Sequence, residues 1–404
     1  MPRGTLLLAL CVGVYLSAAV LASGLDREPW GDEGHFLETV RAFGGAPSAR
    51  ILLDYPEVTP PLAFCAYALW GRVFGFETAV LRVFSLLVAA AALIAFGCLF
   101  LRVLRRPLSV VAAMGALLLN PYTMGLSLFV YTDMLMMLAL AVLLLGAERM
   151  NLWLLFTGAA AGLLTRQYFL FAVLGGAVSM LLRFRAGEKR ALPATVALVA
   201  GCLPLAALMA LWGGVAPPSG MERWMPSAHS LCQPGAWSLY AGLAAVFGLP
   251  IVAAAWRRFV FRPGEHGGIL LASFVYFLIP VRASPVTLEQ TGRETVGLFH
   301  RALAAALPSG AAVEGVFYLC FLAGLHVLYR MGKDSALWVR GRKASLSLLA
   351  GLMTGAFFLL MPFSYQVWEK YALPLVPLLA LALCAEPAEG KREGEGAPRA
   401  GERG

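Results

Sequence analysis

The sequence predicts an all-α polytopic membrane protein with about twelve transmembrane helices. Of its 404 residues, 60% are hydrophobic and only 14% are charged, whereas soluble domains carry about 25% charged residues. The mean hydropathy is +0.75, so most side chains need lipid rather than water as their solvent. Apolar runs recur along the whole chain, and short basic loops separate them.

The apolar runs have lengths suited to crossing a bilayer, which takes about 17–25 residues per helix. We predict spans near residues 5–22, 79–103, 108–122, 127–147, 152–166, 168–184, 193–213, 237–255, 268–282, 311–330, 345–363 and 370–385. The first run follows a charged start, as a signal peptide would. Because it is long enough to span and its cleavage site is weak, we expect a retained helix.

Lysine and arginine predict the orientation of these helices. Strongly basic segments at 102–106, 183–190, 257–262 and 330–343 fall at alternate helix ends. Under the positive-inside rule, twelve spans with both termini in the cytoplasm place every one of these segments inside. The net charge of +9 therefore reflects topology, and no nucleic-acid partner is expected. A bacterial or archaeal cytoplasmic membrane, or the ER membrane in a eukaryote, is the expected location.

The longest segment on the other side of the membrane covers residues 23–78. Within it, the run 61–76 contains Arg72, and making it a span would place every later basic loop outside. We predict instead that 61–76 and 35–43 form two helices in the outer interface. The transmembrane domain then covers residues 1–385. The Gly- and Glu-rich tail 386–404 is expected to be a disordered cytoplasmic segment.

Ionisable residues gather near the non-cytoplasmic face in this topology. The candidate site residues are Asp32, Glu33, His35, Asp133, Arg166, Gln167, Glu369, Lys370 and Tyr371. Ionisable groups at membrane depth are costly, and they pair with one another or line a polar cavity. One interpretation is a solvated loop with a structural Asp133–Arg166 ion pair. The other is a cavity in which a carboxylate removes a proton from an attacking hydroxyl.

Patterns typical of cofactor or metal sites do not occur in the sequence. The five histidines are isolated, without paired ligand spacing. No phosphate-binding glycine loop precedes a helix, so neither a nucleotide cofactor nor a metal is expected. Cys65 and Cys232 fall in or near outer segments, and the sequence leaves open whether a disulfide joins them.

The first outer loop resembles the start of the GT-C glycosyltransferase superfamily. The matching residues are Trp30-Gly-Asp32-Glu33-Gly-His35-Phe, Thr59-Pro60-Pro61 and Leu81-Arg82-Val-Phe-Ser. In that superfamily a large first outer loop carries an early Asp or Asp-Glu and two interfacial helices. The resemblance therefore implies a GT-C-like fold with an active site in this loop.

Three later segments resemble the dolichyl-phosphate-glucose-dependent α-1,2-glucosyltransferase family of N-glycan precursor assembly. They are Phe129-Val-Tyr131-Thr132-Asp133, Leu164-Thr165-Arg166-Gln167 and Glu369-Lys370-Tyr371-Ala-Leu373-Pro374. The third segment departs from the family because lysine stands where the family has arginine. The chain is also shorter than the eukaryotic members, and residues 180–360 show little likeness to them.

The resemblance implies an inverting, metal-independent transferase that moves a hexose from a polyprenyl-phosphate sugar to a glycan, glycolipid or protein acceptor. Asp32 would be the general base, with Glu33 beside it as the alternative base. Arg166 and Lys370 would hold the lipid phosphate, and Arg166 would be its main ligand because lysine cannot fork onto phosphate. Further substrate contacts or supports for the cations would come from His35, Asp133, Gln167, Glu369 and Tyr371.

A secondary transporter or a lipid flippase with an outward-facing polar cavity is the alternative function. A transporter is expected to show internal repeats and broken midplane helices with buried charges. This sequence has no recognisable repeat, and its charges gather at one face beside a long acidic loop. The pattern therefore favours the transferase.

Overall fold

The computed structural model describes residues 3–45, 49–225, 232–341 and 345–385. These residues form α-helices and short 3-10 segments, with no β-strand in the described ranges. In the first half the helices are α1 (Arg3–Ser23), α2 (Glu33–Gly45), α3 (Ala49–Leu53), α4 (Leu62–Phe74), α5 (Thr78–Val103), α6 (Pro107–Leu118), α7 (Pro121–Leu128), α8 (Asp133–Arg149), α9 (Leu152–Leu163), α10 (Leu170–Arg185) and α11 (Ala191–Ala200). In the second half they are α12 (Leu203–Trp212), α13 (Pro218–Trp224), α14 (Gly235–Phe247), α15 (Leu249–Ala254), α16 (Pro263–Ser273), α17 (Pro285–Thr291), α18 (Leu298–Ala306), α19 (Gly310–Arg340), α20 (Leu346–Leu360) and α21 (Leu375–Cys384). The predicted tail, 386–404, lies outside the described residues.

Several helices are long and apolar enough to cross a membrane, which confirms the all-α polytopic class. In the described part of the chain these are Gly4–Ser23, Thr78–Val103, Gln167–Arg185, Ala191–Trp212, Gly310–Arg340 and Leu346–Phe363. The pair α6 and α7 passes the same test as one span but is bent by 60°. Other predicted spans, such as those at α9 and α14, are shorter apolar helices, so the count of twelve stays a prediction.

The bend between α6 and α7 interrupts the span predicted at 108–122. Pro121 has no N–H to donate to the preceding turn, so a straight helix cannot continue through it. Asn120 caps the new helix, since its side chain accepts a hydrogen bond from the Tyr122 N–H at 3.0 Å. The bend directs α7 toward the charged residues described below.

Small residues allow the spanning helices to pack closely. The helix α5 packs against α1 and α8, α10 packs against α20, and α14 packs against α19. At the last of these crossings a Cβ on Gly324 would meet the Ala241 carbonyl, and Gly175 lies against the Met353 backbone in the same way. Membrane helices associate through such close backbone contacts because lipid supplies no hydrophobic drive between them.

The outer loop contains the two predicted helices, α2 and α4, together with the short helix α3, which was not predicted. The helices α2 and α4 pack on each other, and Phe64 contacts Phe36 and Phe43 at ring-centroid distances of 5.6 and 6.0 Å. Arg72 donates to the carbonyls of Gly44 and Phe43 at 3.1 and 3.3 Å. This charge within an apolar run therefore completes the C-terminal end of α2.

The sequence left open whether a disulfide joins Cys65 and Cys232, and the structure answers this at Cys65. This residue carries a free thiol. No disulfide therefore joins it to Cys232.

The long helix α5 defines two ends of the molecule. Its 26 residues rise about 39 Å, at about 1.5 Å per residue, which exceeds the roughly 30 Å hydrocarbon core of a bilayer. Arg82 lies in its first turns and contacts the outer loop, whereas Arg102 lies in its last turn. We call these the Arg82 end and the Arg102 end.

Candidate active site

A buried ion pair fixes the start of the outer loop. The Nε and Nη2 groups of Arg82 donate to the two carboxylate oxygens of Glu33 at 2.9 and 2.7 Å. Both side chains are 0% exposed. Glu33 also accepts hydrogen bonds from the backbone N–H groups of Val130 and Trp30, at 2.9 and 3.2 Å. With four donors around it, Glu33 is fully engaged inside the protein.

Arg82 also binds the segment that follows α1. Its Nη1 group donates to the carbonyls of Leu25 and Arg27, each at 2.6 Å. Its guanidinium lies over the Phe129 ring, 5.1 Å from the ring centroid. One buried cation thus connects α5 to the loop that carries Asp32.

The backbone of the loop holds Asp32 against Tyr131. The Tyr131 hydroxyl accepts from the Asp32 N–H at 3.1 Å and donates to the Trp30 carbonyl at 3.0 Å. Gly31, between them, has a φ of 62°, in the left-handed region. A Cβ at Gly31 would lie 2.8 Å from the Tyr131 hydroxyl. The position therefore requires glycine both for its conformation and for the close approach.

Asp32 forms an ion pair with Lys370, which is distant in the sequence. Its Oδ2 atom lies 2.6 Å from Lys370 Nζ, and the Asp32 side chain keeps 47% of its surface exposed. Desolvation, the largest single effect, raises the pKa of Asp32, but the charge and hydrogen bond of Lys370, with smaller effects of His35 and Arg166, together lower it by more, so the net shift is downward. Asp32 is therefore an accessible carboxylate that is ionised at neutral pH.

His35 lies between two carboxylates. Its Nδ1 atom is 2.6 Å from Glu57 Oε1, and its Nε2 atom is 4.0 Å from Asp32 Oδ1. Glu57 is buried and also accepts a hydrogen bond from Thr39 at 3.4 Å. No sequence pattern identified Glu57, because it is a single acid in an irregular segment. Within the described ranges, no group of three or more His, Cys, Asp and Glu side chains is placed to hold a metal ion.

The Asp133–Arg166 ion pair is present and buried. Arg166 Nη2 donates to Asp133 Oδ2 at 2.9 Å. The Tyr371 ring contacts both cations of the site, with its centroid 5.8 Å from the Arg166 guanidinium and 5.7 Å from Lys370 Nζ. Two acid–base pairs, Asp32–Lys370 and Asp133–Arg166, thus meet around one aromatic ring.

Several buried polar atoms around the second pair have no hydrogen-bond partner in the described structure. They are Thr132 Oγ1, Asp133 Oδ1, Arg166 Nε and Tyr168 Oη. An unsatisfied buried polar atom costs about 1–3 kcal/mol, and native proteins contain few of them. Four such atoms beside one ion pair can therefore hydrogen-bond to a polar ligand.

Glu369 organises a helix beside the site. Its Oε2 atom accepts from the Tyr122 hydroxyl at 2.8 Å and from the Phe299 N–H at 2.7 Å, and its Oε1 atom accepts from the His300 N–H at 2.7 Å. These N–H groups belong to the first turn of α18 (Leu298–Ala306). Glu369 therefore holds the N-terminus of α18 next to Lys370.

Gln167 connects the site to the outer loop. Its amide N–H group donates to the carbonyl of Val58 and, at 3.4 Å, to that of Val215. The amide thus fixes the loop segment that contains Glu57 and Thr59 beside Arg166.

Two cavities adjoin the charged residues. The first has a volume of about 490 Å³ and carries Asp32, Lys370, Arg293 and Arg301 in its wall. Its other lining residues are mainly aromatic and apolar, among them Trp30, Phe129, Leu126 and Trp368. The second cavity, of about 270 Å³, is lined by Arg166, Gln167, Tyr168, Tyr365 and Tyr371 among others.

Sequence reasoning missed Arg293, which precedes α18, and Arg301, which lies within it. No motif marks them, and Arg301 lines the first cavity from α18, whose N-terminus Glu369 holds. The candidate residues from the sequence do converge, but they divide between the two cavities. Four of the candidates line neither cavity in the described structure: Glu33, His35, Asp133 and Glu369.

Comparisons with known proteins include a distant structural likeness. No family model matches the chain, and no curated protein matches it. Among solved structures, the chain is similar to ArnT from Cupriavidus metallidurans in the apo state. The identity is 17%, the match covers 94% of this chain and 77% of that chain, and the TM-score is 0.45. A likeness of this degree defines neither the activity nor the site residues of this chain.

Proposed function

We propose that the protein is a membrane glycosyltransferase of the GT-C type. In this proposal it transfers a hexose from a polyprenyl-phosphate sugar to an acceptor hydroxyl on the non-cytoplasmic side, with inversion and without a metal. The observation that carries the proposal is the Asp32–Lys370 pair, at 2.6 Å, in a cavity that also holds Arg293 and Arg301. An inverting displacement needs one base and a stabilised leaving group, and this cavity offers both.

We assign the general base to Asp32 rather than to Glu33. Asp32 is ionised and half exposed in the first cavity, whereas Glu33 is fully buried and holds four donors. In the proposed step the acceptor oxygen attacks the anomeric carbon while its proton passes to Asp32. The bond from that carbon to the phosphate oxygen breaks, and the phosphate leaves with the electron pair. Glu33 is a positioning residue in this scheme.

The leaving phosphate is proposed to bind Lys370 together with Arg301 and Arg293. All three line the first cavity. Lysine offers a point charge, while an arginine can donate two hydrogen bonds to one phosphate, so neighbouring arginines compensate for lysine at position 370. The sequence suggested Arg166 as the main phosphate ligand, but its guanidinium is paired with Asp133 and lines the second cavity.

We propose that sugar hydroxyls occupy the region around Asp133 and Arg166. The unsatisfied atoms of Thr132, Asp133, Arg166 and Tyr168 lie there, and the wall of the second cavity adds further tyrosines. Proteins bind sugars through such mixtures of hydrogen-bonding groups and aromatic side chains, because a sugar ring carries hydroxyl groups and also has apolar faces. His35, with Nε2 4.0 Å from Asp32, is placed to contact the same substrate.

The test is sugar transfer by the purified full-length protein in detergent. Radiolabelled polyprenyl-phosphate glucose and mannose are offered separately, with a panel of glycan and glycolipid acceptors and with water as the default acceptor. We expect labelled product of inverted anomeric configuration and a matching release of polyprenyl phosphate. Binding of the donor without cleavage, together with movement of intact donor across proteoliposomes, would instead establish the transporter or flippase function.

A further inference from the structure

A separate cavity lies at the Arg102 end of the molecule. Its volume is about 260 Å³, and Arg106, Arg257 and Arg258 all contribute to its wall. Ser109 is the main uncharged polar residue in the lining, and no carboxylate of a described residue belongs to it. Three cations from two different loops around one small cavity indicate an anion site.

The position of this cavity separates it from the proposed sugar chemistry. Arg82 holds Glu33 next to Asp32 at one end of α5, while Arg106 follows the other end of that helix. From Arg82 to its last residue, Val103, the helix rises about 32 Å, at about 1.5 Å per residue. An anion bound at Arg106 is therefore about a bilayer thickness from Asp32, and on the side that the basic loops place in the cytoplasm.

The positive charge of Arg258 is only weakly offset by the acid near it. Arg258 approaches Asp334 only at 3.9 Å. Asp334 already accepts two hydrogen bonds from Arg330, at 3.0 and 2.7 Å. The N-terminus of α6 (Pro107–Leu118) starts directly after Arg106 and adds the positive end of its dipole. The local field therefore favours a ligand with at least one full negative charge.

Apolar side chains surround the charged cavity. Trp256 and Leu108 line the cavity and are 63% and 66% exposed, and the Arg257 guanidinium lies 5.6 Å from the Trp256 ring centroid. Exposed Trp beside Arg is typical of the membrane interface, where one side meets headgroups and the other meets acyl chains. A free inorganic anion would make no use of this apolar surround.

We propose that this cavity binds the phosphate of an anionic phospholipid from the leaflet at the Arg102 end. The phosphate lies among Arg106, Arg257 and Arg258, and the acyl chains lie along the apolar residues around them. Basic pockets between membrane helices recognise lipid headgroups through this combination of charge and apolar contact. The site is independent of the proposed transferase activity.

The experiment measures lipid retention by the full-length protein. Protein in mixed micelles with equimolar phosphatidylglycerol and phosphatidylcholine is passed through gel filtration, and the retained lipids are counted by native mass spectrometry. We expect the wild type to retain phosphatidylglycerol preferentially. The Arg257→Gln/Arg258→Gln variant removes two charged donors and should lower this retention about tenfold.

Arg105→Gln is the matched control, since Arg105 is an exposed arginine of the same loop as Arg106 but does not line the cavity. It should retain lipid like the wild type. If the double variant elutes as misfolded protein, Arg106→Gln replaces it in the same assay. Equal retention of both lipids by the wild type, or an equal loss in Arg105→Gln, would overturn the proposal. Full displacement of the lipid by millimolar glycerol 3-phosphate would instead identify a soluble phosphate as the ligand and overturn the lipid assignment.

Discussion

Replacing Glu33 with alanine should destabilise the protein far more than any change at Asp32. The substitution leaves the Arg82 guanidinium in a site where its side chain is 0% exposed. Breaking a buried pair in this way costs about 3–5 kcal/mol. The backbone N–H groups of Val130 and Trp30 also lose their acceptor, at about 1–3 kcal/mol each where they cannot reach water. Against a typical total stability of about 5–15 kcal/mol, the loss is large.

Asp32→Asn provides the comparison for this measurement. Its partner Lys370 is held at 2.6 Å, but Asp32 is 47% exposed, and exposed pairs contribute about 0–1 kcal/mol. Thermal unfolding of both variants in the same detergent, followed by intrinsic fluorescence, should give a much lower midpoint for Glu33→Ala. The midpoint of Asp32→Asn should stay close to that of the wild type.

A double variant tests whether the unpaired buried charge of Arg82 causes the loss of stability. Glu33→Ala/Arg82→Met leaves no cation without a partner, so it should be more stable than Glu33→Ala alone. If Glu33→Ala unfolds at the same temperature as the wild type, the buried pair does not support the loop. The assignment of Glu33 to positioning would then fail, and Glu33 would return as a candidate base.

Three further predictions concern the proposed chemistry. Lys370→Met removes the ammonium that lowers the pKa of Asp32, so the acid limb of the rate–pH profile should move to higher pH; an unmoved limb would show that another group titrates. Arg301→Gln removes a charged hydrogen-bonding group and should raise the KM for the sugar donor about tenfold in initial-rate measurements. The KM for the acceptor should change less, and equal changes in the two KM values would argue against a phosphate contact. Gly31→Ala places a methyl group 2.8 Å from the Tyr131 hydroxyl and should displace the Asp32 carboxylate. The kcat should fall about 100-fold, while the unfolding midpoint stays above that of Glu33→Ala. An unchanged kcat would show that catalysis does not depend on the geometry of this loop.

The sequence predicted those features that depend on local composition. Hydropathy predicted the helical membrane class and the two helices of the outer loop, since burial in lipid requires apolar runs whatever the tertiary contacts. The Asp133–Arg166 pair belonged to one of the two interpretations of the sequence, because two opposite charges at the same membrane depth have few other partners.

Features that depend on distant contacts could not be predicted in this way. Arg82 belongs to the segment Leu81-Arg82-Val-Phe-Ser, but nothing in the local sequence indicates that its partner is Glu33, 49 residues away. Lys370 and Asp32 are 338 residues apart, and their contact depends on the packing of the whole bundle. Arg301 reaches the first cavity on α18, whose N-terminus is held by the distant Glu369. Long-range placement of this kind leaves no periodic pattern in the sequence.

Single-turnover release of polyprenyl phosphate tests the central assignment most directly. Wild type and Asp32→Asn are each saturated with radiolabelled polyprenyl-phosphate hexose, and donor binding is measured in the same samples before the acceptor is added. With Asp32 as the base, the variant should bind donor with about the wild-type affinity while release falls by about 100-fold or more. Release at the wild-type rate from Asp32→Asn would contradict the assignment and require the proton to be taken by another group.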